Sequence, residues 1–547
     1  MSIIRTSYVA VGLIMSAFAS AGAQMRPDVG GPEAAVTSDH PLASAAGARV
    51  LRSGGNAIDA AITMAGVLAV VRPHMNGLGG DMFMLYREAR TGKVYALNAS
   101  GPSGSMATPE HVRAQGHQRM PQSGVLSATI PGAVQGWADA LKRFGTISFA
   151  DALQPAVAYA ENGFPVSTVL NEDIAGSRSA ISADASMVSS FLPNGAAPVP
   201  GTVLKLPDLA RTLRAVARNG PAELYTGETG QRIAEFVERE KGMFNARDLA
   251  GFKTLWQEPI STTYHGARVI GFPPNTQSLA LLMQLNMAEQ FDLKAMGHNS
   301  ADYLHTLVEL KKLAFVDRDR HITDPQTYNT PLDRLLSKEY AKELVRTVKP
   351  TATSSSGEEK DDGGDTVFLS VIDREGNMVS LIQSLYAAFG SKRMVPGTGI
   401  VLHNRGGLFS LDASNVNVIA PNKRTYHTLA PAMVLRQDGS PLMTIGSPGG
   451  DGQTMTLLQV LNNMLVFGMM PQAAVEAARY RSMENGRLML DASIPEAVRI
   501  QLTQRGHEVR ALTAPSSEMG GAQVVWVSNG MRITGADPRR EAYGIAW

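Results

Sequence analysis

Residues 349–365 read KPTATSSSGEEKDDGGD, seventeen positions that are polar, small or charged, without a single large apolar side chain. Such a stretch cannot bury enough surface to offset the entropy of ordering it, which predicts an exposed, mobile loop. The pattern then reverses within one residue. Residues 366–373 (TVFLSVID) predict a buried strand, 374–377 (REGN) a turn, and 378–385 the return strand. The fold must therefore hold a buried hairpin whose leading end, at Asp365-Thr366, is tethered to chain that adds nothing to the core.

Elsewhere the periodicity is mixed. Residues 41–52 and 56–71 are Ala-rich with helical spacing, and Ser53-Gly54-Gly55 between them is a C-cap and turn signal. Residues 82–88 and 93–98 predict strands joined at Thr91-Gly92, and 133–251 read as a helical layer punctuated by Pro and Gly. A helix is expected over 300–315, followed by the charged run Asp317-Arg318-Asp319-Arg320. Two further hairpins turn at Asp438-Gly439 and Asn529-Gly530, with a helix over 455–469 between them. The chain is thus α/β, helix-rich first and strand-rich second.

Composition narrows the chemistry. The absence of cysteine removes disulfides, thiolate nucleophiles and Cys-ligated metal centres, so a nucleophile here is an oxygen or a nitrogen. A formal net charge of +1 offers no broad attraction for nucleic acid or anionic lipid, so a charged ligand must be met locally. Residues 1–23, with Arg5, a short apolar run and Ala21-Gly22-Ala23, read as a secretory signal peptide, which predicts an exported, periplasmic or secreted protein. No later apolar run reaches the roughly 20 residues of a membrane span, so no stable membrane anchor is expected.

The junction at Asp365-Thr366 carries the chemical interest. If that bond were cut, Thr366 would hold a hydroxyl and its own α-amine on one carbon frame. An α-amine titrates near pH ~8 and could take the hydroxyl proton, making a self-contained nucleophile and base. On local pattern alone, a β-branched residue opening a strand after a loop is the far commoner reading of Thr366.

Fragments spread along the whole chain bear on that choice: Gly54–Ala61 (GGNAIDAA), Gly77–Asp81 (GLGGD), Ala314–Arg318 (AFVDR), Asp365-Thr366, Asp373–Asn377 (DREGN), Phe389-Gly390-Ser391, Pro421–Arg424 (PNKR), Gly446–Gly450 (GSPGG) and Ala536–Arg539 (ADPR). In this order and spacing the sequence resembles the γ-glutamyltransferase (glutathione hydrolase) family of N-terminal-nucleophile hydrolases. The resemblance implies a four-layer αββα sandwich made from one self-cleaved precursor. A large subunit, 24–365, and a small subunit, 366–547, would associate without a cofactor. It makes Thr366 the nucleophile, assigns Gly449 and Gly450 the backbone amides of an oxyanion hole, and places Ser384 beside the nucleophile. A tetrahedral oxyanion needs fixed donors, and glycine lets the backbone approach closely.

The sequence leaves the family pattern where a γ-glutamyl head group would be read. Leu408, before Phe409-Ser410, stands where the family has an acid to pair with the α-ammonium. The segment 97–102 (LNASGP) lacks the family's arginine, His427-Thr428 replace two serines, and Tyr386 takes an asparagine position. Only ten residues, 411–420, separate Phe409-Ser410 from Pro421, where transferases carry a longer lid. These features resemble the subgroup containing cephalosporin acylases. Tyr386, Arg405, Arg424, His427 and Thr428 remain candidates to hold an anionic small-molecule substrate. Three readings follow: hydrolysis of γ-glutamyl amides such as glutathione, a glutaryl-type acylase sharing the nucleophile, or an unprocessed, non-catalytic binding protein. No metal-ligand spacing is evident among the histidines.

Overall fold

The computed structural model describes residues 25–354 and 364–547. The expected signal peptide, and residues 355–363 of the polar stretch, lie outside the described residues. Fourteen of the described strands form two seven-stranded, wholly antiparallel sheets. In chain order these are β1 (Val29–Gly31), β2 (Ala35–Ser38), β3 (Asp81–Arg87), β4 (Val94–Ala99), β5 (Leu255–Gln257), β6 (Ile260–Tyr264), β7 (Ala267–Gly271), β8 (Gly364–Ile372), β9 (Met378–Ala387), β10 (Ala432–Arg436), β11 (Pro441–Gly446), β12 (Gln523–Ser528), β13 (Met531–Ala536) and β14 (Tyr543–Ala546). The first sheet runs β14-β2-β8-β9-β3-β4-β5 and the second β1-β13-β12-β11-β10-β7-β6.

Side-chain alternation explains the layers. In β8, Val367, Leu369 and Val371 face the helices of the first half, whereas Phe368 and Ile372 join Phe83, Leu85, Met433 and Val525 in an apolar layer between the sheets. The helices α1 (Pro41–Arg52) and α2 (Ala57–Val71) cover the first sheet. On the second lie α3 (Ser278–Ala288), α4 (Ala301–His321) and α5 (Gln453–Leu465). The result is the αββα sandwich that the resemblance implies. Helix α2 starts on a capping box of Asn56 and Asp59 and is buried on every side. Gly47 lets α1 lie on it, since a Cβ there would sit 2.3 Å from Met64 Sδ.

Two expectations need correction. The helix expected to end at Phe315 continues as α4 to His321. The charged run lies within this helix, where Arg318 is buried and pairs with Asp451, Asp319 and Glu484. The described start of the polar stretch is docked rather than loose. Ala352 N donates to Arg505 O at 2.7 Å, Lys312 Nζ donates to Thr353 O at 2.7 Å, and Thr353 donates to Glu309. Backbone and hydroxyl bonds hold it where apolar side chains do not.

Candidate active site

Thr366 sits near the start of β8, buried, at a break in the sheet register. Thr366 pairs with Ser384, but Asp365 pairs with Tyr386, leaving Leu385 as an extra residue in β9. The bulge is held from outside the ladder: Leu385 N donates to Met75 O at 2.8 Å, and Asn404 N donates to Leu385 O at 3.2 Å. Tyr386 takes φ +81°, a region disfavoured for a bulky side chain. Bulges of this kind re-aim side chains beside functional sites.

The bulge brings three groups onto the Ser384 hydroxyl. Ser384 Oγ accepts from Thr366 Oγ1 at 3.1 Å and from Tyr386 N at 2.7 Å, and donates to the carbonyl oxygen of Asp365 at 2.8 Å. A carbonyl only accepts, so the one hydroxyl proton of Ser384 is committed to Asp365 and Thr366 is the donor in the hydroxyl pair. Burial raises the Asp365 carboxyl above its usual range, opposed by Arg540, whose Nη1 lies 3.4 Å away.

Beyond the end of β11, Gly449 (φ +132°) and Gly450 (φ +54°) turn the chain through conformations that favour glycine. The turn Gly450–Gly452 packs against β8. It is braced by Gln277, whose Nε2 donates to Gly450 O at 3.0 Å, and by Asp451, which accepts from Tyr426 Oη at 2.7 Å and pairs with Arg318 at 2.9 Å.

The expected substrate residues divide in two. Tyr386, Arg405 and Thr428 come together: Arg405 Nη1 donates to Thr428 Oγ1 at 3.0 Å, and the guanidinium lies 4.4 Å over the Tyr386 ring. Arg405 is 1% exposed, and its Nη2 makes no hydrogen bond. Its counterion is Asp81, 3.8 Å from Nε. His427 shares that carboxylate with Arg405, Nε2 donating to Asp81 Oδ2 at 3.0 Å while its ring meets Phe83 edge-on. Leu408 packs on the apolar layer above the second sheet. Arg424 spends its guanidinium on Ser100 O, Lys253 O and Gln326.

The charges can be assigned. His403 Nε2 faces Thr129 O at 3.0 Å and must donate, leaving Nδ1 to accept from Arg405 N at 3.1 Å, so the ring is neutral. Burial, with Arg405 beside it, pushes His427 down to about 3, so it too is neutral. Burial opposes ionisation of Asp81, yet the groups around it hold its carboxyl below the usual range. Between these two neutral rings, the Asp81 carboxylate faces the Arg405 guanidinium, which also feels Asp451. Asp81, His403 and Gln277 escaped the sequence reading. Only Asp81 carried a signal, as the last residue of GLGGD.

The sequence from residue 43 to 547 matches the family model Gamma-glutamyltranspeptidase. The chain belongs to the γ-glutamyltranspeptidase family. It is therefore an enzyme of that family, and its relatives are proenzymes of more than one specificity. It is 39% identical over 528 residues to the glutathione hydrolase-like YwrD proenzyme of Bacillus subtilis, covering 95% of this chain and 100% of the relative. It is 35% identical over 491 residues to the acylase ACY 1 proenzyme of a Pseudomonas species, covering 88% of each. Among solved structures it superposes on cephalosporin acylase from Bacillus halodurans with a TM-score of 0.90 at 34% identity, covering 100% of this chain and 99% of the other.

Proposed function

We propose that this family member cuts its own chain between Asp365 and Thr366 and then uses Thr366 to hydrolyse amides of carboxylate-bearing acyl groups. The observation that carries this is the Ser384 hydroxyl, which donates to the Asp365 carbonyl oxygen while accepting from Thr366 Oγ1. In the first step Thr366 Oγ attacks the Asp365 carbonyl carbon, its proton passes to the peptide nitrogen, the C–N bond breaks, and that nitrogen becomes the α-amine of Thr366. Water then cleaves the resulting ester, leaving a carboxylate on Asp365. In turnover the amine takes the Thr366 hydroxyl proton and the oxygen attacks the substrate carbonyl. Gly449 and Gly450 supply the oxyanion amides, and the proton passes to the departing amine. Water completes hydrolysis of the acyl-enzyme. The subunits 24–365 and 366–547 would stay joined, since the first sheet takes β2, β3, β4 and β5 from one and β8, β9 and β14 from the other.

The acyl group is read through Arg405. A buried guanidinium with an uncommitted Nη2 suits a distal carboxylate, and Leu408 offers nothing to an α-ammonium. A glutaryl-type acyl amide fits best. A γ-glutamyl amide such as glutathione is the second reading, favoured by the glutathione hydrolase-like relative. The short segment 411–420, spanned by a bridge between Ser410 and Val418, leaves the site open to water and to bulkier substrates, which favours hydrolysis over transfer. The leader at 1–23 supports export, and no helix among the described residues is long and apolar enough to cross a membrane.

A denaturing gel tests the first claim: two bands in the wild type and one in Thr366→Ala support self-cleavage, and one band in both returns the chain to a non-catalytic binding role. Rates on glutaryl and γ-glutamyl anilides test the second. A preference for the γ-glutamyl compound would overturn the acyl assignment and leave cleavage standing.

A further inference from the structure

Away from the site, His305 and Glu309 stand one turn apart on α4, on one face, and meet His507 from the far end of the chain. All three are buried, with ligand atoms within 4.8 Å of one another. Position 507 is 202 residues from 305, so no spacing motif could announce the group. We propose that His305, Glu309 and His507 bind a divalent transition metal of the zinc type and thereby tie the segment before Asp365 to the body of the fold.

The donor set has the required orientation. His305 Nε2 lies 2.7 Å from Lys349 O, which can only accept, so Nε2 carries the proton and the Nδ1 lone pair faces His507 Nε2 at 2.8 Å. An imidazole whose far N–H is fixed by a backbone carbonyl is the usual support for a metal-bound histidine. Tetrahedral zinc, about 2.0–2.1 Å from each nitrogen, would hold the pair about 3.3 Å apart, so the rings need to part by about half an ångström. The same 2.8 Å contact makes His507 Nε2 the N–H donor, so on metal binding this proton moves to Nδ1 of the neutral ring and frees the Nε2 lone pair for the metal. Glu309 adds the third ligand and the only negative charge of the three. It already accepts from Thr353 and from Lys312 Nζ at 2.7 Å, which makes Lys312 the group opposing the cation.

Two of the ligands precede Thr366 and one follows it. A bound metal would bridge both subunits beside Lys349 and Thr353, which are themselves hydrogen-bonded to this group. The bridging of two chains rests on the cleavage proposed above, whereas the metal site does not. The uncut Thr366→Ala protein should accordingly bind metal as well as the wild type does.

The test uses tag-free protein stripped with chelator, dialysed against micromolar Zn²⁺ and analysed for metal. One equivalent is expected in the wild type and in Thr366→Ala, and loss of at least about 10–100-fold in affinity in His305→Gln and His507→Gln. Lys312→Met should bind more tightly, and Co²⁺ should give the visible absorption of a low-coordinate site in the wild type, Thr366→Ala and Lys312→Met but not in the ligand variants. Glu309→Gln, which keeps the side-chain shape, replaces either histidine variant if circular dichroism shows it misfolded. Equal zinc in the wild type and the ligand variants, or none in any of them, overturns the proposal.

Discussion

Thr366 Oγ1 and Ser384 Oγ lie 3.1 Å apart across the β8–β9 register break, and Ser384 is at once the acceptor for Thr366 and the donor to the Asp365 carbonyl. Under the proposed cleavage the hydroxyl would have two successive tasks. In the uncut chain it polarises the carbonyl that Thr366 would attack; once Asp365 leaves, the same proton is free to turn toward Thr366.

Removing that hydroxyl should slow cleavage more than it disturbs folding. Ser384→Ala deletes a donor aimed at the developing oxyanion, a loss worth about 10²–10³ in rate. Full-length chain should accumulate, maturing over hours to days on a denaturing gel, while Ser384→Thr matures normally. Processing of the alanine variant at the wild-type rate would remove Ser384 from the cleavage step.

The glycine pair makes a different prediction. Gly449 has room for a methyl group, whose nearest neighbour, Gly520 Cα, is 3.5 Å away, so sterics alone do not demand glycine there. Its φ of +132° does. Gly449→Ala should rotate the backbone amide away from the oxyanion and lower kcat by about 10²–10³ with KM little changed. Steady-state kinetics on a glutaryl anilide check this. A variant impaired only in KM would place Gly449 in binding instead.

Much of the architecture was legible because local signals agreed with the fold. The 54–61 turn and cap, the Asp373–Asn377 turn and the alternation along β8 each point one way. Thr366 became a candidate nucleophile only through the family resemblance, because a β-branched residue opening a buried strand after a polar stretch carries no chemical signal of its own. What local pattern could not carry was set by distant partners. The bulge at Leu385 exists because Met75 and Asn404 hold it, and the length of α4 depends on Asp451 and Glu484 receiving Arg318. Likewise the contact of His427 with Asp81, 346 residues away, is one that no local pattern announces.

Arg405 can be tested without unbalancing its counterion. Arg405→Met would leave Asp81 buried and unpaired at a cost of about 3–5 kcal/mol, confusing binding with folding. Arg405→Lys keeps the charge but loses the second donor and the planar contact with Tyr386. One hydrogen bond to a charged group is worth about 1.5–3 kcal/mol, so KM for a glutaryl amide should rise by about 10- to 100-fold. Self-cleavage should be unaffected. An unchanged KM would move the carboxylate elsewhere.

The last prediction concerns Asp39, which couples the nucleophile strand to pH. Its Oδ2 accepts from Phe368 N, two residues beyond Thr366, while its Oδ1 is buried without a hydrogen-bond partner. Burial, only partly offset by Phe368 N, Arg72 and Arg540, raises the carboxyl from 3.8 to about 6. The folded state therefore holds this proton more tightly than the unfolded chain. Its contribution to stability is complete below about pH 4 and is lost as pH rises to about 6, amounting to about 3 kcal/mol at neutral pH. Asp39→Asn keeps an oxygen for Phe368 N–H and removes the charge. For a protein of this size the variant should melt about 3 °C above the wild type at pH 7.5, the gap closing toward pH 4. Scanning calorimetry at the two pH values decides the matter: a gap that is constant or reversed would show that Asp39 is not protonated on folding.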